Sequence, residues 1–457
     1  MYLKKTKLIA LIFMLSAAEV AAQGITGSPY SRYGIGDISN PGTGHNVAMG
    51  GTSVAESSPM YVNTVNPACN TNLPLQRFVF DVGFDVKYNE IKSATASEKT
   101  SKATFKYLVG GFAAKPWWYF SFSMKPYSAM GYAAASIDSS NVMKLNGTDY
   151  KFGYRNSFDG KGGLNKVSIS TAFKFFKVFS LGFTGSVLFG DMERTQKSYI
   201  SRSGYVINGT TYPYTSTYYM SDKRVMYGTQ GDIGLRFEKR FTSKKDSLRD
   251  ALRISLGAYM SSSANLTARD EIFVQDYHTY YSYYYNGTNY YTAKADTIAN
   301  DTISKSKVSI PKGFGIGASV EIAEKFTINA DYHTQQWGKF QLPDDASKTK
   351  YRDSKYMGFG MQFVENLYSS KYYRRIIYRV GAYKQDTYLE LYGQGIDDKG
   401  VTFGIGVPVG RGQLLLNINC QIGTRGTTEH NLYKEKYFLV HFNATLHDYW
   451  FIKRKFQ

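Results

Sequence analysis

The run Phe179-Ser180-Leu181-Gly182-Phe183-Thr184-Gly185-Ser186-Val187-Leu188-Phe189 alternates apolar with small or polar residues. Phe179, Leu181, Phe183, Gly185, Val187 and Phe189 share one parity, while Ser180, Gly182, Thr184 and Ser186 share the other. Successive strand side chains point to opposite faces, so this stretch builds a ribbon greasy on one side and polar on the other. The pattern returns at 78–86, 314–322, 326–330, 357–363, 401–407, 416–422 and 438–446. A water-soluble sandwich also alternates, so periodicity alone leaves two architectures open. Three further features select between them: an export signal, the aromatic content, and the spacing of the connections. Together they predict an all-β chain, a transmembrane antiparallel β-barrel of about fourteen strands with its apolar face toward lipid.

Residues 1–22 read as a secretory signal. Lys4, Lys5 and Lys7 lead an apolar run over 8–15, and Val20 and Ala22 occupy the positions a signal peptidase recognises. The mature chain is expected to begin at Gln23. Forty Tyr and 29 Phe suit aromatic girdles at two lipid–water boundaries. The mean hydropathy is negative, which excludes a helical membrane protein but suits a barrel. Two cysteines, Cys69 and Cys420, do not make a disulfide framework. Cys420 shares parity with Leu416 and Ile418 and should face lipid.

Connections alternate between short ones (115–117, 177–178, 323–325, 408–412) and long polar ones (89–103, 128–163, 196–223, 264–309, 339–353, 388–399, 425–434), as in outer-membrane barrels with tight periplasmic turns. Three long connections carry Asn-Gly, at 146–147, 208–209 and 286–287. That pair is a hairpin signal, so these loops are expected to continue as paired strands above the membrane. Tyr281, Tyr283, Tyr284 and Tyr285 crowd one of them. Two readings stand: a partner surface, or cross-strand aromatic pairing that stiffens the hairpin.

The formal net charge is +19. Basic residues gather on the predicted periplasmic side: Lys239, Arg240, Lys244 and Lys245; Lys371, Arg374 and Arg375; and Lys453, Arg454 and Lys455 in a tail at 448–457. Such a rim suits phospholipid head groups or an acidic periplasmic partner. Nucleic acid is not a partner that an exported barrel meets.

Residues 23–75 do not alternate. They are rich in Gly, Ser, Asn and Pro, including Ser28-Pro29-Tyr30-Ser31-Arg32-Tyr33-Gly34-Ile35-Gly36-Asp37, then Met49-Gly50-Gly51 and Asn66-Pro67-Ala68. About fifty residues are too many for a bare tail, and a barrel of fourteen strands has an interior that needs filling. A plug is expected here, followed by the barrel over 76–447. These motifs, in this order and with the closing Trp450-Phe451-Ile452-Lys453-Arg454-Lys455, resemble the FadL-type outer-membrane proteins, the long-chain fatty acid transporter family, in its Bacteroidetes branch. The resemblance spans nearly the whole mature chain. It implies a bacterial outer-membrane location and a barrel plugged by its N-terminal hatch. In transporting members of that family a hydrophobic ligand enters from outside and leaves sideways through a kink in the third strand.

The corresponding strand here, near 117–127, contains Trp117 and Trp118 and reaches Pro126. Proline removes a ladder hydrogen bond, so Pro126 either marks an opening or simply ends the strand. Gly315, Gly317, Gly404, Gly406, Asn417 and Asn419 occupy lumen parity, which suits small residues packed against a plug. No catalytic, cofactor or metal site is expected: the six His are scattered, and none pairs with Cys or another His at ligand spacing. His441 and Asn443 share the lumen side of the last strand, which lumen lining explains more simply than a hydrolase. Two functions follow from the resemblance: a plugged conduit for hydrophobic small molecules, or a non-transporting barrel subunit of an outer-membrane protein-secretion or barrel-assembly complex.

Overall fold

The computed structural model describes residues 27–449 except 146–147, 203–205, 208–209, 212–213, 243–249, 286–287, 343–348 and 410–412. The signal at 1–22 and the basic tail with Lys453, Arg454 and Lys455 lie outside the described residues. The strands are β1 (Asp37–Ile38), β2 (Arg77–Lys92), β3 (Ser97–Lys115), β4 (Trp118–Leu145), β5 (Thr148–Phe175), β6 (Phe179–Arg202), β7 (Val206–Ile207), β8 (Thr210–Thr211), β9 (Tyr214–Thr242) and β10 (Asp250–Ser261). They continue as β11 (Ala264–Tyr285), β12 (Thr288–Ile310), β13 (Gly313–Ile322), β14 (Phe326–Gln335), β15 (Lys350–Tyr351), β16 (Ser354–Val364), β17 (Ile377–Leu391), β18 (Gln394–Val409), β19 (Leu414–Arg425) and β20 (Lys434–Tyr449).

The wall is a closed 14-strand antiparallel barrel. It runs β2-β3-β4-β5-β6-β9-β10-β13-β14-β16-β17-β18-β19-β20 and shuts where Arg77 of β2 meets Tyr449 of β20. Burial decides between barrel and sandwich. Val187 is 49% exposed and Phe183 41%, while Ser186 and Ser180 of the other parity are 4% and 3% exposed. Apolar parity therefore points outward and polar parity inward, the reverse of a soluble core. Cys420 lies on the outward parity, as expected.

The short connections form tight turns. Phe176 and Lys177, and likewise Ala323 and Glu324, all take positive φ, the twist-matched hairpin geometry. β13 and β14 have 10 residues each, enough to cross the hydrocarbon, whereas β4 and β5 have 28 and β9 has 29. The long strands rise past the membrane as one sheet. There the lower part of β9 pairs with β10 and its upper part with β11, so the β11–β12 hairpin leaves the wall. Leu145 pairs with Thr148, Ile207 with Thr210 and Tyr285 with Thr288, so strands flank each Asn-Gly pair as expected. The Asn-Gly residues themselves lie outside the described residues. Segments 128–163 and 264–309 are thus largely strand.

The third wall strand does not end at Pro126. It runs on to Leu145, with a register shift between Pro126 and Ser128 that bulges the strand. This corrects the strand-ending reading. β3 and β4 pair only from Leu108↔Met124 to Lys115↔Trp118. Toward the long-loop end β3 stays with β2 and β4 stays with β5, leaving a seam in the wall.

Candidate functional site

β1 occupies that seam. Asp37 pairs with Ala129 and Ile38 with Ser128, so two residues of the N-terminal segment continue the sheet where β3 departs. The amide N–H groups of Ser39 and Ser28 donate to Tyr127 O at 2.9 Å and Gly131 O at 3.1 Å, extending the contact on both sides. Pro126, which lacks a donor, lies at the start of the seam and is buried. Gly36 has φ +85°, and a Cβ there would lie 2.5 Å from Ala129 O, so the approach requires glycine.

From the seam the segment crosses toward the short-turn end, touching strands on opposite sides of the wall. Before the seam, at the long-loop end, the hydroxyl of Tyr30 donates to Tyr433 O. Burial pushes that phenol up to about 12. Tyr33 O accepts from Tyr388 Oη at 3.0 Å, and Asp37 pairs with Arg425 at 2.8 Å. Further down, His45 Nε2 donates to Glu56 Oε1 at 2.7 Å, and Glu56 Oε2 accepts from Asn46 and Asn329. Burial pushes the His45 imidazole down, which keeps it neutral. Glu56 is raised by burial but ends below the ordinary carboxylate value, because these partners favour its charge.

Asn66 is fully buried. Its amide donates to Val54 O and Leu235 O at 2.7 and 3.0 Å, and its Oδ1 accepts from Ala68 N at 3.1 Å, capping the turn that Pro67 opens. A Cβ at Gly182 would lie 2.5 Å from Ala68 N; one at Gly257 would strike Val54 O, and one at Gly360 Met49 O. The lumen-parity glycines named from sequence divide in two. Gly317 and Gly404 meet Val54 and Ala48 of the segment, whereas Gly315 and Gly406 meet Tyr259 and Arg379 of neighbouring strands. Asn417 and Asn419 are buried. Cys69 is buried too, and burial pushes its thiol up to about 12.

The structure separates Pro126 from Trp117 and Trp118. Those two stack on Phe173 at the short-turn end, among aromatics such as Phe120 and Phe112. They form a girdle, and neither lines a cavity beside Pro126. Lys239, Arg240 and Lys371 are exposed at that same end, Arg374 pairs with Glu365, and Arg375 stacks on Tyr372. Lys244 and Lys245 lie outside the described residues. Of Tyr281, Tyr283, Tyr284 and Tyr285 only the backbone is described, in the β11–β12 ladder.

Two cavities flank the strap 38–41. One, of about 200 Å³, reaches the seam beside Lys102, Phe105, Lys106 and Pro126. The other, of about 170 Å³, lies beside Lys125, Pro126, Tyr127 and Tyr259. Above them, at the long-loop end, an apolar core closes the barrel. Met130, Leu164, Leu188, Met226 and Leu266 of the tall sheet pack with Tyr30, Ile35, Trp337, Phe340 and Tyr388, all buried. The connection 339–353, polar by composition, contributes Phe340 and Leu342 to this core. In the sequence Pro126 marks the seam, whereas β1 leaves no signal there, because a two-residue strand has no periodicity. Among the described residues no group of three or more His, Cys, Asp or Glu is placed to hold a metal. His441 is buried against Asp85, with Nδ1 at 2.5 Å.

A closed antiparallel barrel of fourteen strands with its apolar parity outward defines the class, a transmembrane β-barrel. The chain belongs to the BamG family, whose model matches residues 3–457. Several solved structures share the fold. The Ralstonia pickettii toluene transporter TbuX is 16% identical with a TM-score of 0.50, covering 89% of this chain and 98% of its own. The Pseudomonas putida toluene transporter TodX is 15% identical with a TM-score of 0.51, covering 92% and 100%. A Pseudomonas aeruginosa FadL homologue is 11% identical with a TM-score of 0.52, covering 90% and 99%. No curated protein sequence matches.

Proposed function

We propose that this chain is an outer-membrane conduit for hydrophobic small molecules, with residues 27–75 as its plug and the β3–β4 seam as its side opening. The observation that carries this reading is the seam: the wall is unpaired above Leu108↔Met124, a two-residue strand fills it, and a cavity lies directly behind. A hydrophobic molecule moving through a wall rather than along a wet lumen needs such a break in the ladder. The similar Ralstonia pickettii and Pseudomonas putida proteins are toluene transporters, which points to the same class of cargo.

A cross-link tests the reading. Ile38 and Ser128 are register partners, and paired antiparallel residues lie within disulfide reach. Cells carrying Ile38→Cys with Ser128→Cys should lose uptake of toluene when oxidised and regain it on reduction. Equal uptake in both states would sink the proposal.

A second reading, a barrel subunit of a protein-secretion or assembly complex, is favoured by the sealed long-loop mouth and the tall sheet. Among the described residues β12 pairs only with β11, leaving one strand edge open to a partner chain. Recovery in a stoichiometric complex under mild detergent, with toluene uptake unchanged by oxidation of the cysteine pair, would favour this second role.

A further inference from the structure

The cavity of about 170 Å³ behind Pro126 is unevenly charged. Its lining holds three lysines, Lys125, Lys166 and Lys355, against one carboxylate, Asp232. Lys166 is satisfied, donating at 2.9 Å to both Asp232 Oδ2 and Gln230 Oε1. Lys125 is its direct register partner across the β4–β5 ladder. Like charges placed directly opposite on adjacent strands repel. Lys125 nevertheless reaches only Thr64 Oγ1, at 3.4 Å, and no carboxylate among the described residues. His333 on the same wall is already engaged, with Nδ1 3.0 Å from Tyr259 Oη and Nε2 3.7 Å from Asp331 Oδ2, so Lys125 is the group left to meet a ligand.

We infer that this cavity is a binding site for a small oxyanion, a carboxylate or a phosphate, seated on Lys125. A lysine ammonium acts as a point charge for such groups, and an anion there removes the repulsion between Lys125 and Lys166. The volume suits a head group or a free ion rather than a chain. Both sources share this chemistry, since the adjoining chamber leads under the strap 38–41 to the seam. The inference stands whether or not the barrel passes a hydrophobic cargo.

The test uses the full chain in zwitterionic detergent and inorganic phosphate as probe. Lysine acylation mapped by mass spectrometry should show Lys125 protected about tenfold by phosphate, and unprotected by chloride at equal ionic strength. Lys125→Met should abolish saturable phosphate binding followed by ³¹P NMR, and Lys125→Arg should retain it, which separates loss of charge from loss of fold. Equal labelling with and without phosphate, or unchanged binding in Lys125→Met, overturns the site. Native mass spectrometry distinguishes the sources. An acidic lipid retained by the native chain and lost from Lys125→Met assigns a lipid head group; phosphate protection without retained lipid assigns a free anion.

Discussion

Asn66 shows how one side chain seats a whole segment. It is 0% exposed and ties Val54, Ala68 and the wall residue Leu235 together. Replacing it with Ala leaves buried carbonyls without donors, a loss of about 2 kcal/mol. Asn66→Ala should therefore speed hydrogen exchange over 54–73 while the wall strands stay protected; unchanged exchange would refute the role. His45 adds a pH dependence. Its imidazole titrates below the ordinary 6.5 because burial disfavours the cation. The unfolded chain then binds the extra proton first, so stability rises with pH across that interval. The contribution is complete above about 6.5 and is lost as pH falls through the lowered value. Protection factors over 44–57, taken relative to intrinsic exchange at each pH, should fall between pH 7.5 and 5.5, and His45→Gln, which still donates to Glu56, should flatten that response.

At the scale of elements, β1 is the smallest piece and the seam depends on it. Gly36 lets the backbone turn at φ +85° against Ala129. Gly36→Ala adds both a clash and an unfavourable φ, about 1–3 kcal/mol. The expected outcome is loss of amide protection at Asp37 and Ile38 and faster entry of a hydrophobic dye into cells. A dye rate equal to that of the native chain would mean that β1 does not close the seam. Wall strands were legible in sequence because lipid on one side and a polar interior on the other enforce period two. Strand 78–86, for example, is found within Arg77–Lys92. Pro126 was legible as an irregularity. That its strand bulges and runs on, rather than stops, depends on β5 supplying partners up to Thr148.

For the whole molecule, the long-loop end is shut by side chains from distant parts of the chain. Trp337 is fully buried, 4.9 Å from Phe340 and 4.8 Å from Tyr388 between ring centres. Trp337→Ala should cost about 3–5 kcal/mol of local stability. It should also raise single-channel conductance in planar bilayers if this core is what bars the mouth. A closed trace indistinguishable from the native one would show that the segment below is sufficient. In the tall sheet above the wall, polar groups answer one another across strands, as Arg224 of β9 does with Asp270 of β11 at 2.9 Å. Such pairs tolerate burial only because each partner satisfies the other.

By itself the chain's order of residues determined the barrel, the outward apolar parity, and the hairpins flanking Asn-Gly. Each follows from local rules, alternation and turn geometry, that act over a few neighbouring positions. Only the tertiary structure decided where the wall parts, which glycines meet the N-terminal segment, and that, among the described residues, Asp232 pairs directly with Lys166 and not with Lys125. Those outcomes depend on residues such as Asp37 and Ala129, or Lys166 and Asp232, whose closeness comes from strand register around a closed ring. No periodicity along the chain records such closeness.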